Sequence, residues 1–326
     1  MKVSFVINDI ETLDPTCDST LRLMQECLNK GHDLSFLYTR NFFIGNNVVY
    51  GYLARVLGMD LSEPERFFET LRVERGNVSL AEQDVIFLRK DPPIDLTMIN
   101  FLDLIKADVF IVNDIDGLRR ANNKLYLSAF DDPAAGSIIP RTYVSKNFAF
   151  LKSVIQGYEE ESMVLKPYAG FGGRGVIMLS KTAPRNINSL LQYYTKPNPD
   201  APDTNYVILQ EYLKEAESGD KRILMLNGEI LSAVRRVSAA DDARGNIHAG
   251  GTAVACEIID SDRRICARIR QKLLDDGLYF VGLDVVGDKL LEVNVVSPGG
   301  ITYVNQLYGL KIEEQVVDFL ETRVSA

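Results

Sequence analysis

In the first part of the chain, short apolar runs alternate with a segment in which the apolar residues recur at helical spacing. Four runs predict buried β-strands, at residues 3–7, 34–38, 85–88 and 109–112. Between the first two, residues 19–30 carry Leu21, Met24 and Leu28 at helical spacing, and Gly31 follows as a stop signal. Strands that alternate with helices predict a parallel α/β layer over about the first 120 residues.

The pattern changes around residues 113–124, and strands with tight turns then dominate. Strands are predicted at residues 162–166, 176–179, 206–210, 222–226, 280–286 and 290–295. Asn227-Gly228 predicts a hairpin turn, and the proline-rich stretch 196–203 predicts a surface loop or boundary. Helices are predicted at 263–275 and 313–323. The second part therefore reads as α+β.

Composition narrows the class of protein. The 326 residues suffice for two or three domains, and the net charge of -9 argues against a general attraction to nucleic acid. No apolar run approaches the roughly 18 residues of a membrane span, and the apolar opening is too short for a signal peptide. We therefore expect a cytoplasmic protein. Four cysteines without a Cys-x-x-Cys pair, and only two histidines, argue against a zinc site.

A glycine-rich loop at residues 170–175 fits the pattern G-x-G-x-x-G. A dinucleotide fingerprint would need a helix after it, but a predicted strand follows, and the Lys-Ser/Thr end of a Walker loop is missing. A flexible hairpin whose backbone N–H groups close over a triphosphate remains, with Lys166 placed to meet a phosphate. The alternative is a structural hairpin with glycines for turn geometry.

Asp284, Glu292 and Asn294 lie in an otherwise apolar predicted hairpin. Acids on such strands are costly unless they are paired or bind a cation, and hard oxygen ligands suit magnesium. A strict two-residue turn at Gly287-Asp288 would put Asp284 and Glu292 on opposite faces. The metal hypothesis therefore predicts a three-residue loop or a β-bulge. The alternative is that the acids face solvent or pair with nearby arginines.

A group of cations precedes this hairpin: Arg222, Arg235, Arg236 and Arg244. Arginines near a magnesium–nucleotide site could hold a substrate carboxylate and neutralise an oxyanion, and the neighbouring glycines predict a mobile loop. A solvated charged face is the alternative.

Taken together, these motifs resemble those of the bacterial glutathione synthetases. The resemblance runs in order from about residue 3 to 320, and it rests on residues 88–93 (Leu-Arg-Lys-Asp-Pro-Pro), Asn113, 118–119, 123–125, 166–167 with the glycine loop, 219–222, 244–246, 249–251, 281–284 and 292–294.

The resemblance implies an ATP-grasp fold: a parallel α/β N-terminal (pre-ATP-grasp) domain at residues 1–122, a central lid at 123–202 and a C-terminal mixed-sheet catalytic domain at 203–326. It implies that ATP is bound by Lys124, Lys166, Gly170, Phe171, Gly172, Gly173, the hinge residues Gln210, Glu211, Tyr212 and Leu213, and Asp220 at the ribose. Two Mg²⁺ ions, with Mn²⁺ as a substitute, would be held by Asp284, Glu292 and Asn294. The donor carboxylate or its phosphate would be met by Arg222 and Arg236, with Arg244 in the closing loop 238–251.

The implied reaction phosphorylates the carboxyl group of γ-glutamylcysteine, and glycine then attacks to give glutathione, ADP and phosphate. The resemblance also suggests a homo-oligomer such as a tetramer. The chain departs from the pattern at Gly299-Gly300, Thr252 and Glu211, so a related peptide ligase with another donor or acceptor stays open. A phosphotransferase would need a His-Arg-Asp-like catalytic loop, which is missing, and a silent nucleotide-binding regulator would not need the metal ligands.

Overall fold

In a computed structural model of the chain, the described residues are 1–132, 136–168, 175–181, 184–196, 206–237 and 251–325, without the side chains of residues 184 and 185. Three β-sheets, with helices packed against them, account for most of these residues.

The first sheet has seven strands. They are β1 (Lys2–Val6), β2 (Asp33–Leu37), β3 (Phe42–Gly45), β4 (Val48–Gly58), β5 (Arg72–Ser79), β6 (Val85–Leu88) and β7 (Phe110–Val112). The accompanying helices are α1 (Ser19–Asn29), α2 (Phe67–Thr70), α3 (Leu96–Asp103) and α4 (Ile115–Ala121). The order is β3-β4-β2-β1-β6-β7, with β5 also paired to β4.

The predicted parallel layer holds for only part of this sheet. Strands β2, β1, β6 and β7 are parallel, whereas β3, β4 and β5 are antiparallel additions that the sequence analysis did not predict. The β3–β4 hairpin turns through Asn46 and Asn47, both with positive φ (49° and 65°), which asparagine tolerates better than most residues. The long β4 then continues past β2 to form an extension of the layer.

The second sheet is antiparallel and has four strands in the order β10-β9-β11-β8. These are β8 (Thr142–Ser145), β9 (Ser162–Pro167), β10 (Ile177–Ser180) and β11 (Val207–Glu211). Helices α5 (Phe148–Gly157) and α6 (Pro184–Thr195) pack against it around buried Leu151, Leu165 and Leu191.

The third sheet has five strands in the order β14-β13-β12-β15-β16. These are β12 (Asp220–Leu226), β13 (Glu229–Val237), β14 (Thr252–Ala255), β15 (Phe280–Val286) and β16 (Lys289–Asn294). Three helices follow or interrupt these strands: α7 (Asp260–Asp275), α8 (Ile301–Tyr308) and α9 (Ile312–Ser325). The predicted turn at Asn227-Gly228 joins β12 to β13, with φ of 49° and 78°.

The first and third sheets share their apolar cores, which fixes the third sheet against the N-terminal layer. Buried Ile86 and Leu118 belong to the same cluster as Leu283, and buried Phe5 and Phe36 belong to the same cluster as Phe280. The domain boundaries expected at residues 122 and 202 stay predictions. Because β11 pairs with β9 in the second sheet, a boundary drawn by sheet membership would lie after Glu211 rather than at 202. Within the described ranges, no helix combines the length and apolar character needed to cross a membrane.

Candidate active site

A β-bulge brings the two predicted metal-binding carboxylates together. The β15–β16 hairpin turns through Gly287-Asp288, with Val286 paired to Lys289 and Val285 to Leu290, but Asp284 is paired to Glu292. Leu291 is therefore the extra residue, and it shifts the register by one. Of the two arrangements that the metal hypothesis allowed, the bulge is the one observed.

Asp284 is buried and lies between two guanidinium groups. Arg222, its cross-strand partner on β12, donates from Nε to Oδ1 (2.6 Å) and from Nη2 to Oδ2 (3.1 Å). Arg236 Nη2 lies 2.9 Å from Oδ2, and Asn294 Nδ2 donates to the same oxygen at 3.2 Å. Burial alone would raise the pKa of Asp284, but the two arginines outweigh it and hold the pKa well below the usual range. The carboxylate is thus ionised and oriented.

Two further ion pairs flank this centre. Arg236 contacts both carboxylate oxygens of Asp220, its partner in register across β12 and β13. Burial, followed by the nearby charge of Asp284, raises the pKa of Asp220. On the other side, Lys124 Nζ lies 2.9 Å from Glu292 Oε1. The alternative prediction, that the acids pair with nearby arginines, is therefore confirmed for Asp284. Its two oxygens are directed at the guanidinium groups of Arg222 and Arg236.

Lys166 and Gln210 line a pocket between the second and third sheets. Lys166 Nζ donates to Gln210 Oε1 (2.6 Å), and Gln210 Nε2 donates to Thr142 Oγ1 (2.9 Å). Burial lowers the pKa of Lys166 to about 8. Lys124 also lines the pocket, whose apolar walls are formed by Leu127, Ile139, Val144, Ile208 and the bulged Leu291.

The N-terminal layer supports the loop that follows β16. Arg89 is buried and donates from Nη1 to the carbonyl of Pro298 (3.0 Å) and from Nε to Thr20 Oγ1 (3.2 Å). Burial lowers the pKa of Arg89 to about 10. Ser19 Oγ accepts from the backbone N–H groups of Gly300 (3.1 Å) and Ile301 (3.2 Å).

Arg89 lies in the motif at residues 88–93 without a predicted role, and Ser19, Thr20 and Thr142 are not among the predicted site residues. A charged residue directly after the buried strand β6 was a usable signal for Arg89, because polar groups at the carboxyl ends of parallel strands often serve a site.

The remaining predicted residues are less concentrated. Glu211 Oε2 accepts from the backbone N–H of Arg141 (3.0 Å), and Tyr212 donates its hydroxyl to Glu217 (3.0 Å), so both are engaged locally next to Leu213. Gly170, Phe171, Gly172, Gly173 and Arg244 lie outside the described residues, as does most of the loop 238–251. Over the ranges that are described, no three Cys, His, Asp or Glu side chains form a metal-binding group by themselves.

Comparison with known proteins gives matches over almost the whole chain. The family model "Prokaryotic glutathione synthetase, N-terminal domain" matches residues 1–119, and "Prokaryotic glutathione synthetase, ATP-grasp domain" matches residues 123–309. A glutathione synthetase of Synechococcus elongatus is 37% identical, covering 100% of this chain and 99% of that protein. One from Brucella melitensis is 34% identical, with 99% of each covered.

Solved structures share the fold at much lower identity. The D-cycloserine synthetase DcsG superposes with a TM-score of 0.66 at 14% identity, covering 98% of this chain and 99% of that one. The ATP-grasp ligase PsnB, complexed with its precursor peptide PsnA2 and AMPPNP, gives 0.63 at 14% identity, covering 100% and 99%. At this identity the likeness concerns the fold alone.

Proposed function

The chain belongs to the prokaryotic glutathione synthetase family, and from this premise we propose that it joins γ-glutamylcysteine to glycine, with ATP converted to ADP and phosphate. The observation that carries the proposal is the bulge at Leu291, which sets Asp284 opposite Glu292 beside Arg222, Arg236 and Lys124. A carboxylate becomes reactive towards an amine only when one oxygen turns into a good leaving group. Phosphoryl transfer needs positioned charges more than a protein nucleophile.

The pocket next to this cluster would hold the nucleotide. Its apolar walls suit the adenine ring. Gln210 lines the pocket at the start of the proposed hinge, which continues through Glu211, Tyr212 and Leu213. Lys124 and Lys166 line the pocket as cations that can meet the phosphate oxygens. Of the glycine-loop residues, Gly170, Phe171, Gly172 and Gly173 would add backbone N–H donors above the phosphates.

The donor set of the hairpin fits a divalent metal ion with oxygen ligands. Asp284 and Glu292 face each other across β15 and β16, and Asn294 follows two residues later on the same side. Carboxylates together with phosphate oxygens are the ligands that Mg²⁺ prefers in such sites. We propose two Mg²⁺ ions here, with Mn²⁺ as a substitute. When bound, they would supply the positive charge that neutralises the phosphate oxygens during transfer.

Arg222 and Arg236 are the groups that can hold the donor carboxylate. They are mostly buried, with their charges next to the metal ligands, so they can hold the reacting oxygen and then the acyl phosphate. Arg222 Nη1 also lies 3.5 Å from the Gly299 carbonyl, which supports a role for the loop after β16 beside the same substrate. Arg244, in the closing loop, would help to exclude water, because water would hydrolyse the acyl phosphate.

A second candidate differs only in the donor or the amine. A Cβ at Gly299 would meet only Ser19 Oγ, at 4.0 Å, so the loop leaves open space where a side chain would otherwise project. An acceptor larger than glycine, or a different donor peptide, would find room there. This candidate retains the ATP and metal chemistry.

We also propose that the chain has three domains, at residues 1–122, 123–202 and 203–326, and that it forms a homo-oligomer such as a tetramer. We propose further that it acts in the cytoplasm on small molecules rather than on nucleic acid or a membrane. The four cysteines are unpaired, which suits a reducing compartment. On the outer strands of the first sheet, Phe43, Ile44 and Tyr52 are exposed, and such side chains are common at subunit contacts.

The test is ADP release by purified protein supplied with magnesium–ATP, γ-glutamylcysteine and glycine, with the product mass read in parallel. Release that requires both substrates, with a product of glutathione's mass, supports the leading proposal. Release with alanine or serine but not glycine supports the second candidate. No ADP release with any donor and amine pair, by a protein that still binds ATP, would contradict both.

A further inference from the structure

Arg236 is shared between two carboxylates. Its Nε and Nη2 atoms contact the two oxygens of Asp220, and the same Nη2 lies 2.9 Å from Asp284 Oδ2. The three side chains expose between 10% and 15% of their surface, so water screens these contacts only in part. The Asp220 contact is the two-pronged one, and the Asp284 contact is a single one.

This asymmetry decides what happens when one contact breaks. If Arg236 leaves Asp284, its guanidinium still has both oxygens of Asp220, so the buried cation is never unpaired. Asp284 then keeps its two hydrogen bonds to Arg222, and its Oδ2 has one donor fewer and can face another cation. The resemblance placed Asp220 at the ribose, but in this structure both its oxygens are directed at Arg236.

Among the described residues, the ion pairs around the hairpin leave no excess of negative charge. Three carboxylates, Asp220, Asp284 and Glu292, face three cations, Arg222, Arg236 and Lys124. The Lys166 ammonium lies within range of the charges of Glu292, Lys124 and Asp284, but it donates its hydrogen bond to Gln210. Counted over the part of the chain that the structure describes, the ligand-free site is therefore neutral to positive at neutral pH, although it contains the proposed ligands for a divalent cation.

We propose that Arg236 is a positioning residue that acts as a second internal counter-ion of Asp284, beside Arg222, and that Asp220 holds it there until a metal ion arrives together with the nucleotide. A bare divalent ion has to displace Arg236 against a site without net negative charge. The nucleotide phosphates supply that charge and give Lys124 and Lys166 new partners. The metal ion therefore enters as its nucleotide complex. This inference rests on the metal site proposed above, but it needs neither peptide substrate.

The test measures Mn²⁺ binding, read as free Mn²⁺ by electron paramagnetic resonance, with no peptide or amino acid present. In the wild-type protein Mn²⁺ should bind weakly alone and tightly with AMPPNP. Arg236→Met removes the counter-ion and should tighten binding of Mn²⁺ alone by at least about 10-fold, since a unit charge at contact distance in a half-buried site has an effect of this size or larger. Adding Asp284→Asn to that variant should abolish the gain.

Arg235→Met is the matched control. Arg235 is the exposed neighbour on β13, its side chain points to the other face, and its loss changes the net charge by the same amount. Binding of Mn²⁺ alone should stay within about 2-fold of wild type. Lys124→Met is a second variant, which removes the ion-pair partner of Glu292 and changes a residue outside β13. It should also tighten Mn²⁺ binding in the absence of nucleotide.

Four results would overturn the proposal. The first is that Arg235→Met and Arg236→Met tighten the binding of Mn²⁺ alone by the same amount, and the second is that neither Arg236→Met nor Lys124→Met tightens it. The third is that the tighter binding in Arg236→Met survives the addition of Asp284→Asn. The fourth is that the wild-type protein binds Mn²⁺ as tightly without AMPPNP as with it. If wild type binds no Mn²⁺ even with AMPPNP, the metal site of the proposed function fails as well. That result is distinct from the four above, in which wild type binds Mn²⁺ with AMPPNP present.

Discussion

Asn113 ties the first sheet to the hairpin that holds the candidate metal ligands. It is 4% exposed, donates from Nδ2 to the carbonyl oxygens of Phe280 and Val295, and accepts from the Phe280 N–H, each at 2.8 Å. Phe280 opens β15 four residues before Asp284, and Val295 directly follows Asn294. One side chain thus fixes both ends of the functional hairpin against the N-terminal layer.

Asn113→Ala removes all three hydrogen bonds and leaves three buried backbone groups without them. Each such group costs about 1–3 kcal/mol, so with partial relaxation we expect a loss of about 3–6 kcal/mol in the free energy of unfolding. This is a large share of the roughly 5–15 kcal/mol that stabilises a typical domain. The midpoint of urea unfolding should fall by on the order of 1 M.

The assay is urea unfolding followed by far-UV circular dichroism, with Asn77→Ala as the control. Asn77 is exposed on β5, so its replacement should change stability by less than about 0.5 kcal/mol. If the two variants shifted the midpoint by the same small amount, the bridging role of Asn113 would be refuted.

Asp284→Asn or Glu292→Gln should abolish ADP release while the circular dichroism spectrum is retained, and full turnover would remove these residues from the mechanism. Because the pKa of Lys166 is lowered to about 8, kcat/KM for ATP should fall as the pH rises through about 8, where the free enzyme loses this cation. Lys166→Met should lower kcat/KM and remove that alkaline decrease, so a variant with the wild-type pH profile would refute the assignment. Gly117→Ala should cost at least about 2 kcal/mol of stability, since its Cβ would lie 1.9 Å from the Asp276 carbonyl oxygen, and an unchanged urea midpoint would contradict this.

Local pattern was enough to find most of the described strands, but among the described helices it found only α1, α7 and α9. The strands Val85–Leu88 and Phe280–Val286 have the predicted bounds, because a continuous apolar run leaves few alternatives to a buried strand. The β3–β5 extension was missed, because its strands mix exposed and buried positions and include glycines inside β4 and β5.

For the candidate site too, some features follow from the local sequence and others only from the tertiary structure. The sequence by itself singled out the residues proposed to carry the chemistry, because acids such as Asp284 in an apolar hairpin and Lys166 before a glycine loop are costly without a function. Only the tertiary structure decided that Leu291 bulges, that Arg222 reaches Asp284 across 62 positions of the chain, and that Asp220 holds Arg236. The physical reason is that side-chain periodicity is local, whereas strand register and ion pairing depend on segments that meet only when the chain is folded.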